Sequence, residues 1–167
     1  MNKSSNETSS TAGSRALKKV FILAMVLTAF TGFGQMPIFK RYYISDIPGM
    51  AWSADFYATH FLHYLGASVL LGLFAYFILD YILSGRKHFR LSPSAYLRII
   101  LMAGIVVTGI FRVFKNFPDV LFSPAFTFFI DISHLGFAMV YLFTALVLVF
   151  MKRGWLVREQ PYRSGSI

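Results

Sequence analysis

Four apolar runs separated by short polar stretches set the pattern of this chain. The first extends from Val20 to Ile38 behind Arg15, Lys18 and Lys19, the second from Phe56 to Leu83, the third begins at Tyr96 and the fourth at Ala125. About 20 mostly apolar residues carry a helix across the hydrocarbon core, and runs of this kind predict spanning helices. The expected fold is an all-α membrane protein, a bundle of four transmembrane helices over about 17–38, 56–83, 96–114 and 125–151. Residues 1–15 are small, polar and low in complexity and read as a disordered tail. Residues 16–155 then form the membrane domain and residues 156–167 a short basic tail. A basic flank before an apolar run also begins a signal peptide, but no Ala-x-Ala-like site closes this one, so it reads as a retained helix.

Composition agrees with a membrane solvent: of 167 residues 56% are hydrophobic and 14% charged, outside the soluble globular range. The short connections leave no room for a second globular domain, so soluble catalytic chemistry would belong to another chain. The absence of cysteine excludes disulfides, protein-held iron–sulfur clusters and thiolate zinc, which removes most redox cofactors and leaves histidine-ligated ones.

The net charge of +9 is unevenly spread. With four spans, twelve basic residues fall on the side of the termini and the 84–98 loop, against Lys40, Arg41, Arg112 and Lys115 on the other. The positive-inside bias therefore predicts cytoplasmic termini, and much of the charge is a topology signal with some attraction to anionic lipid. No basic soluble module accompanies it, which argues against nucleic-acid binding.

Ionisable groups inside hydrocarbon mark candidate sites. His60 and His63 lie early in the second run, His134 early in the fourth. At about 1.5 Å per residue, His63 and His134 sit roughly 10–14 Å below the outer boundary, at nearly one level. His60 is a turn shallower on the same helical face. Two histidines on different helices at one depth suit axial ligation of a haem in a helix bundle. Gly66 and Gly136, just beyond them, would relieve side-chain bulk, and Arg112, Lys115, Lys40 and Arg41 could pair with propionates. Asp131, one turn before His134, could orient its imidazole or accept a proton. Plainer readings stand beside these: histidines and glycines also serve helix–helix packing in membranes, and Arg112 and Lys115 also serve as interfacial anchors. A proton relay or quinone site is a further alternative for the histidines. His88, in the basic loop, reads as solvated, and Asp80 as paired at the boundary.

The second-run histidine near the outer side, Thr108-Gly109 ending the third run, Phe117-Pro118 in the connection and His134 early in the fourth together resemble the cytochrome b subunits of formate dehydrogenase, Ni-hydrogenase and thiosulfate reductase. The resemblance covers residues 16–155. It implies that His63 (or His60) and His134 bind the haem b nearer the periplasm. The family's second haem uses a histidine in the first helix and another late in the fourth; here the first run has none and position 148 is Leu148, so the resemblance extends to the outer haem only.

The function so implied is an electron-transfer subunit, rather than an enzyme alone, in the bacterial inner membrane. It would link a periplasmic iron–sulfur or multihaem partner to the menaquinone or ubiquinone pool. If quinone binds this chain, Tyr57, His60 and Asp131 are the candidates beside the haem. A haem-free membrane anchor or quinone-binding scaffold, and a small proton-coupled transporter, are the alternative functions; the lack of an inverted repeat argues against the last.

Overall fold

The computed structural model describes the backbone of residues 4–158 and the side chains of residues 15–157. Among these residues four helices are long and apolar enough to cross a membrane, with mean hydropathy between 1.7 and 2.1 in their spanning windows. They belong to α1 (Ser4–Gly34), α3 (Phe56–Leu83), α4 (Pro93–Phe114) and α5 (Pro124–Phe150), with a short α2 (Ile38–Arg41) after the first. The chain is thus an all-α membrane protein in its spanning part. At most 17% of any spanning window is buried, and Leu23, Phe61, Phe143 and Val149 are among the many large apolar side chains facing outward. Water would not tolerate so much exposed apolar surface, whereas lipid does.

The helix boundaries follow from local chemistry. Ser92 and Ser123 cap α4 and α5, each accepting from a backbone N–H three residues on (Ala95 at 3.1 Å, Phe126 at 3.3 Å), and a proline follows each cap at the first helical position. Asp55 opens α3: its carboxylate accepts from Tyr57 N–H at 2.8 Å. The Ser-Pro cap moves the start of the third span from the expected 96 to Pro93. The first span ends at Gly34 rather than 38, because Pro37 has no N–H with which to continue the ladder. At its other end α1 begins at Ser4, so the backbone of residues 4–15, expected as a tail, continues the helix by adding one hydrogen bond per residue. Residues 1–3 and 159–167, the ends of the two expected tails, lie outside the described residues.

The chain divides into two compact units, residues 1–83 and 84–167. In the first, α1 and α3 form an antiparallel hairpin, since Phe21 meets Phe74 and Phe77 while Gly34 meets Thr59. The connection folds back on the hairpin end through α2 and two 3-10 turns. There Phe30 contacts Phe39 and Trp52, with ring centroids 4.7 and 5.9 Å away, and Ser53 is buried. A Cβ on Gly66 would collide with Thr28 Oγ1, so this glycine is what lets α1 and α3 approach.

In the second unit α4 and α5 form another antiparallel hairpin, Gly104 lying under the ring of Phe137, where an added Cβ would stand 2.8 Å from the ring. Its open end is clasped. Strands β1 (Phe89–Leu91) and β2 (Leu156–Arg158) pair antiparallel, Ser92 Oγ donates to Gly154 O at 2.8 Å, and buried Arg98 donates to Arg153 O at 2.7 Å beneath the Trp155 ring. A guanidinium near the end of a membrane helix thereby gains a carbonyl acceptor and an aromatic face, while its Nε stays without a hydrogen-bond partner among the described residues.

Gly66→Ala is expected to destabilise the protein by about 1–3 kcal/mol, the usual cost of overpacking. Gly72→Ala, where nothing lies within 4 Å of the new methyl, is expected to be neutral or to gain up to about 1 kcal/mol from helix propensity. Denaturation of the purified variants in detergent measures both, and an equal response at the two glycines would refute the packing role of Gly66.

Candidate functional site

Each hairpin holds one histidine in the same local arrangement. In the first, His63 Nδ1 lies 2.9 Å from the carbonyl of Thr28 and 3.4 Å from Thr31 Oγ1. In the second, His134 Nδ1 lies 3.1 Å from the carbonyl of Ile105 and 3.1 Å from Thr108 Oγ1. A carbonyl only accepts, so Nδ1 carries the proton in both rings and, in the neutral imidazole, Nε2 carries the lone pair.

The threonines are set by their own helices. Thr31 Oγ1 donates to Leu27 O and Thr108 Oγ1 to Gly104 O, each at 2.7 Å, which turns the oxygen lone pairs toward the imidazole. A glycine follows each threonine. A Cβ on Gly32 would stand 3.2 Å from His63 Cε1, and one on Gly109 would stand 3.2 Å from His134 Cε1. Thr-Gly is therefore a seat for an imidazole: hydroxyl and carbonyl take the N–H, and the missing side chain makes room for the ring. A helix carbonyl already bonded within its helix retains a second lone pair for the incoming N–H.

The other expected site residues are distributed as follows. Arg112 and Lys115, at the end of α4, both reach Asp131: Lys115 Nζ donates to each carboxylate oxygen at 2.8 Å, and Arg112 Nε is 3.2 Å from Oδ1. These cations thus share a carboxylate of their own hairpin, and the group keeps one net positive charge. Imidazole orientation, the role considered for Asp131, comes for His134 from Ile105 and Thr108. Gly66 serves the α1–α3 contact, whereas Gly136 faces open space. His60 packs edge-on between Phe56 and Tyr64, at 5.2 and 4.3 Å, and Tyr57 is largely exposed beside Phe56. Lys40 and Arg41 end α2, exposed at the turn of the first hairpin.

Sequence reading reached the two histidines and missed the seat in the first hairpin. Thr31-Gly32 in the first run repeats Thr108-Gly109 in the third, and that repeated dipeptide is the signal that finds it.

The Lys115–Asp131 pair is partly shielded, with side chains 24% and 38% exposed. A double-mutant cycle with Lys115→Met and Asp131→Asn is expected to give a coupling of about 1 kcal/mol, the upper end for exposed pairs. Additive single effects in detergent unfolding would show that the contact contributes nothing to stability. No family model, curated protein or solved structure matches the chain.

Proposed function

We propose that this chain is a b-type cytochrome subunit of a respiratory oxidoreductase in the bacterial cytoplasmic membrane, with both termini cytoplasmic. In this reading His63 and His134 are the axial donors of one haem b near the outer side. Electrons pass between a periplasmic iron–sulfur or multihaem subunit and the menaquinone or ubiquinone pool.

The observation that carries the reading is the twin Nδ1–H bond to a backbone carbonyl. Iron-binding imidazoles donate their other ring nitrogen to such an acceptor, which fixes the tautomer, holds the ring plane and raises the basicity of Nε2. In both hairpins this second partner is a backbone carbonyl three residues before a Thr-Gly pair, Thr28 before Thr31-Gly32 and Ile105 before Thr108-Gly109. The donor set therefore fits haem iron. Haem b supplies a one-electron couple, and the protein tunes it through the axial imidazoles, their hydrogen bonds and an apolar surround. Thr28 O and Ile105 O hold the rings, while Gly32 and Gly109 leave room for them. The residual positive charge of the Arg112–Lys115–Asp131 group has the sign that suits a propionate. For quinone chemistry His60 and Tyr57 share one helical face, and Asp131 is engaged by Arg112 and Lys115.

A second reading, a haem-free anchor or scaffold, is favoured by one property of the same bonds: each cross-links two helices and has structural value without any ligand. The two readings part in one experiment. A reduced-minus-oxidised spectrum with pyridine haemochrome stoichiometry on the purified full chain is expected to show one haem b. It is expected to vanish in His63→Ala and in His134→Ala and to persist in His60→Ala. A folded wild-type chain that takes up no haem under full loading sinks the cytochrome reading and leaves the scaffold.

A further inference from the structure

The turn of the first hairpin contains a pocket of about 220 Å³, lined among others by Gly34, Gln35, Pro37, Lys40, Ser53 and Phe56. Most of its wall is apolar, yet its polar side chains are a hydroxyl, an amide and an ammonium, all able to donate. Ser53 is fully buried and its Oγ has no hydrogen-bond partner. A buried hydroxyl in that state is costly and calls for an acceptor brought from elsewhere. Gly34 shapes the pocket, since a Cβ there would stand 2.8 Å from Thr59 Cγ2 and 3.4 Å from Ser53 O.

The surroundings indicate the kind of molecule. Tyr42, Tyr43 and Trp52 lie on the same connection, at the end of two spanning helices, which is the level of the lipid headgroups. Lys40 adds a positive charge at the pocket without a carboxylate among the lining residues. A neutral ring ketone would leave that charge unmatched, whereas a phosphodiester brings a formal negative charge and several acceptor oxygens. Its glycerol backbone would meet the apolar wall of Pro37, Phe39 and Phe56, and its acyl chains would continue into the bilayer.

We propose that this pocket binds the phosphodiester headgroup of an anionic phospholipid, with Ser53 Oγ donating to a phosphate oxygen and Lys40 supplying the counter-charge. The proposal is independent of haem: it needs only the first hairpin in a membrane.

Native mass spectrometry of the purified full chain, supplied separately with phosphatidylglycerol and phosphatidylcholine, provides the test. The wild type is expected to retain one phosphatidylglycerol in preference to phosphatidylcholine. Ser53→Ala and Lys40→Gln are expected to lose that preference with helicity unchanged. Arg41→Gln, which removes a neighbouring cation outside the pocket lining, is expected to keep it. An excess of inorganic phosphate is expected not to displace the lipid. Equal retention of both lipids, a preference that survives both pocket variants, a co-purifying quinone lost in those variants, or binding of inorganic phosphate in place of lipid would each overturn the proposal.

Discussion

A hydrogen bond from an imidazole N–H to the backbone carbonyl of the neighbouring helix fixes how each hairpin is put together. In hydrocarbon no water competes for the donor, so the ring must find its acceptor on protein. Meeting that requirement sets the rotation of both helices about their axes and the level at which they cross. The Thr-Gly seat follows from it, because a ring this close to a backbone needs a position without a side chain. So does the approach at Gly66, one turn further along α3, where Thr28 lies beneath the glycine.

The same solution is used twice, and the differences between the two uses are instructive. One turn before the seated histidine the first hairpin has His60 between aromatic rings, while the second has Asp131 between two cations. At the turn, the first hairpin folds a connection with α2 and a pocket, while the second passes directly from Phe114 to the Ser123 cap. A repeated frame with unlike ends gives each histidine the same hydrogen-bonded setting and a different electrostatic neighbourhood.

The spanning helices were legible in the sequence because lipid asks only for length and apolarity, and the runs around Leu70, Val106 and Leu146 meet both conditions. The histidines were legible because ionisable groups are rare at that depth. Their partners were not, since the acceptors are the carbonyls of Thr28 and Ile105 and a backbone acceptor leaves no mark in composition. The purpose of Gly66 was obscured for a related reason: a glycine near a histidine suits a flat ligand as well as a close helix, and only the position of Thr28 decides. The clasp of β1 with β2 was hidden because three-residue strands carry too little pattern to stand out from a basic tail.

That clasp has a mechanical consequence. A helical hairpin joined only at its turn can shear, one helix slipping along the other until the next set of ridges engages. The second hairpin is closed at both ends, by its connection and by the Ser92, Arg98 and Trp155 contacts, so α4 and α5 form a loop that cannot slip without breaking several bonds together. For the first hairpin the described contacts concentrate at the turn and along the helices, with the Phe21 rings at its far end. His134 therefore sits in a frame closed at both ends, and the Phe21 rings stand at the far end of the frame that holds His63.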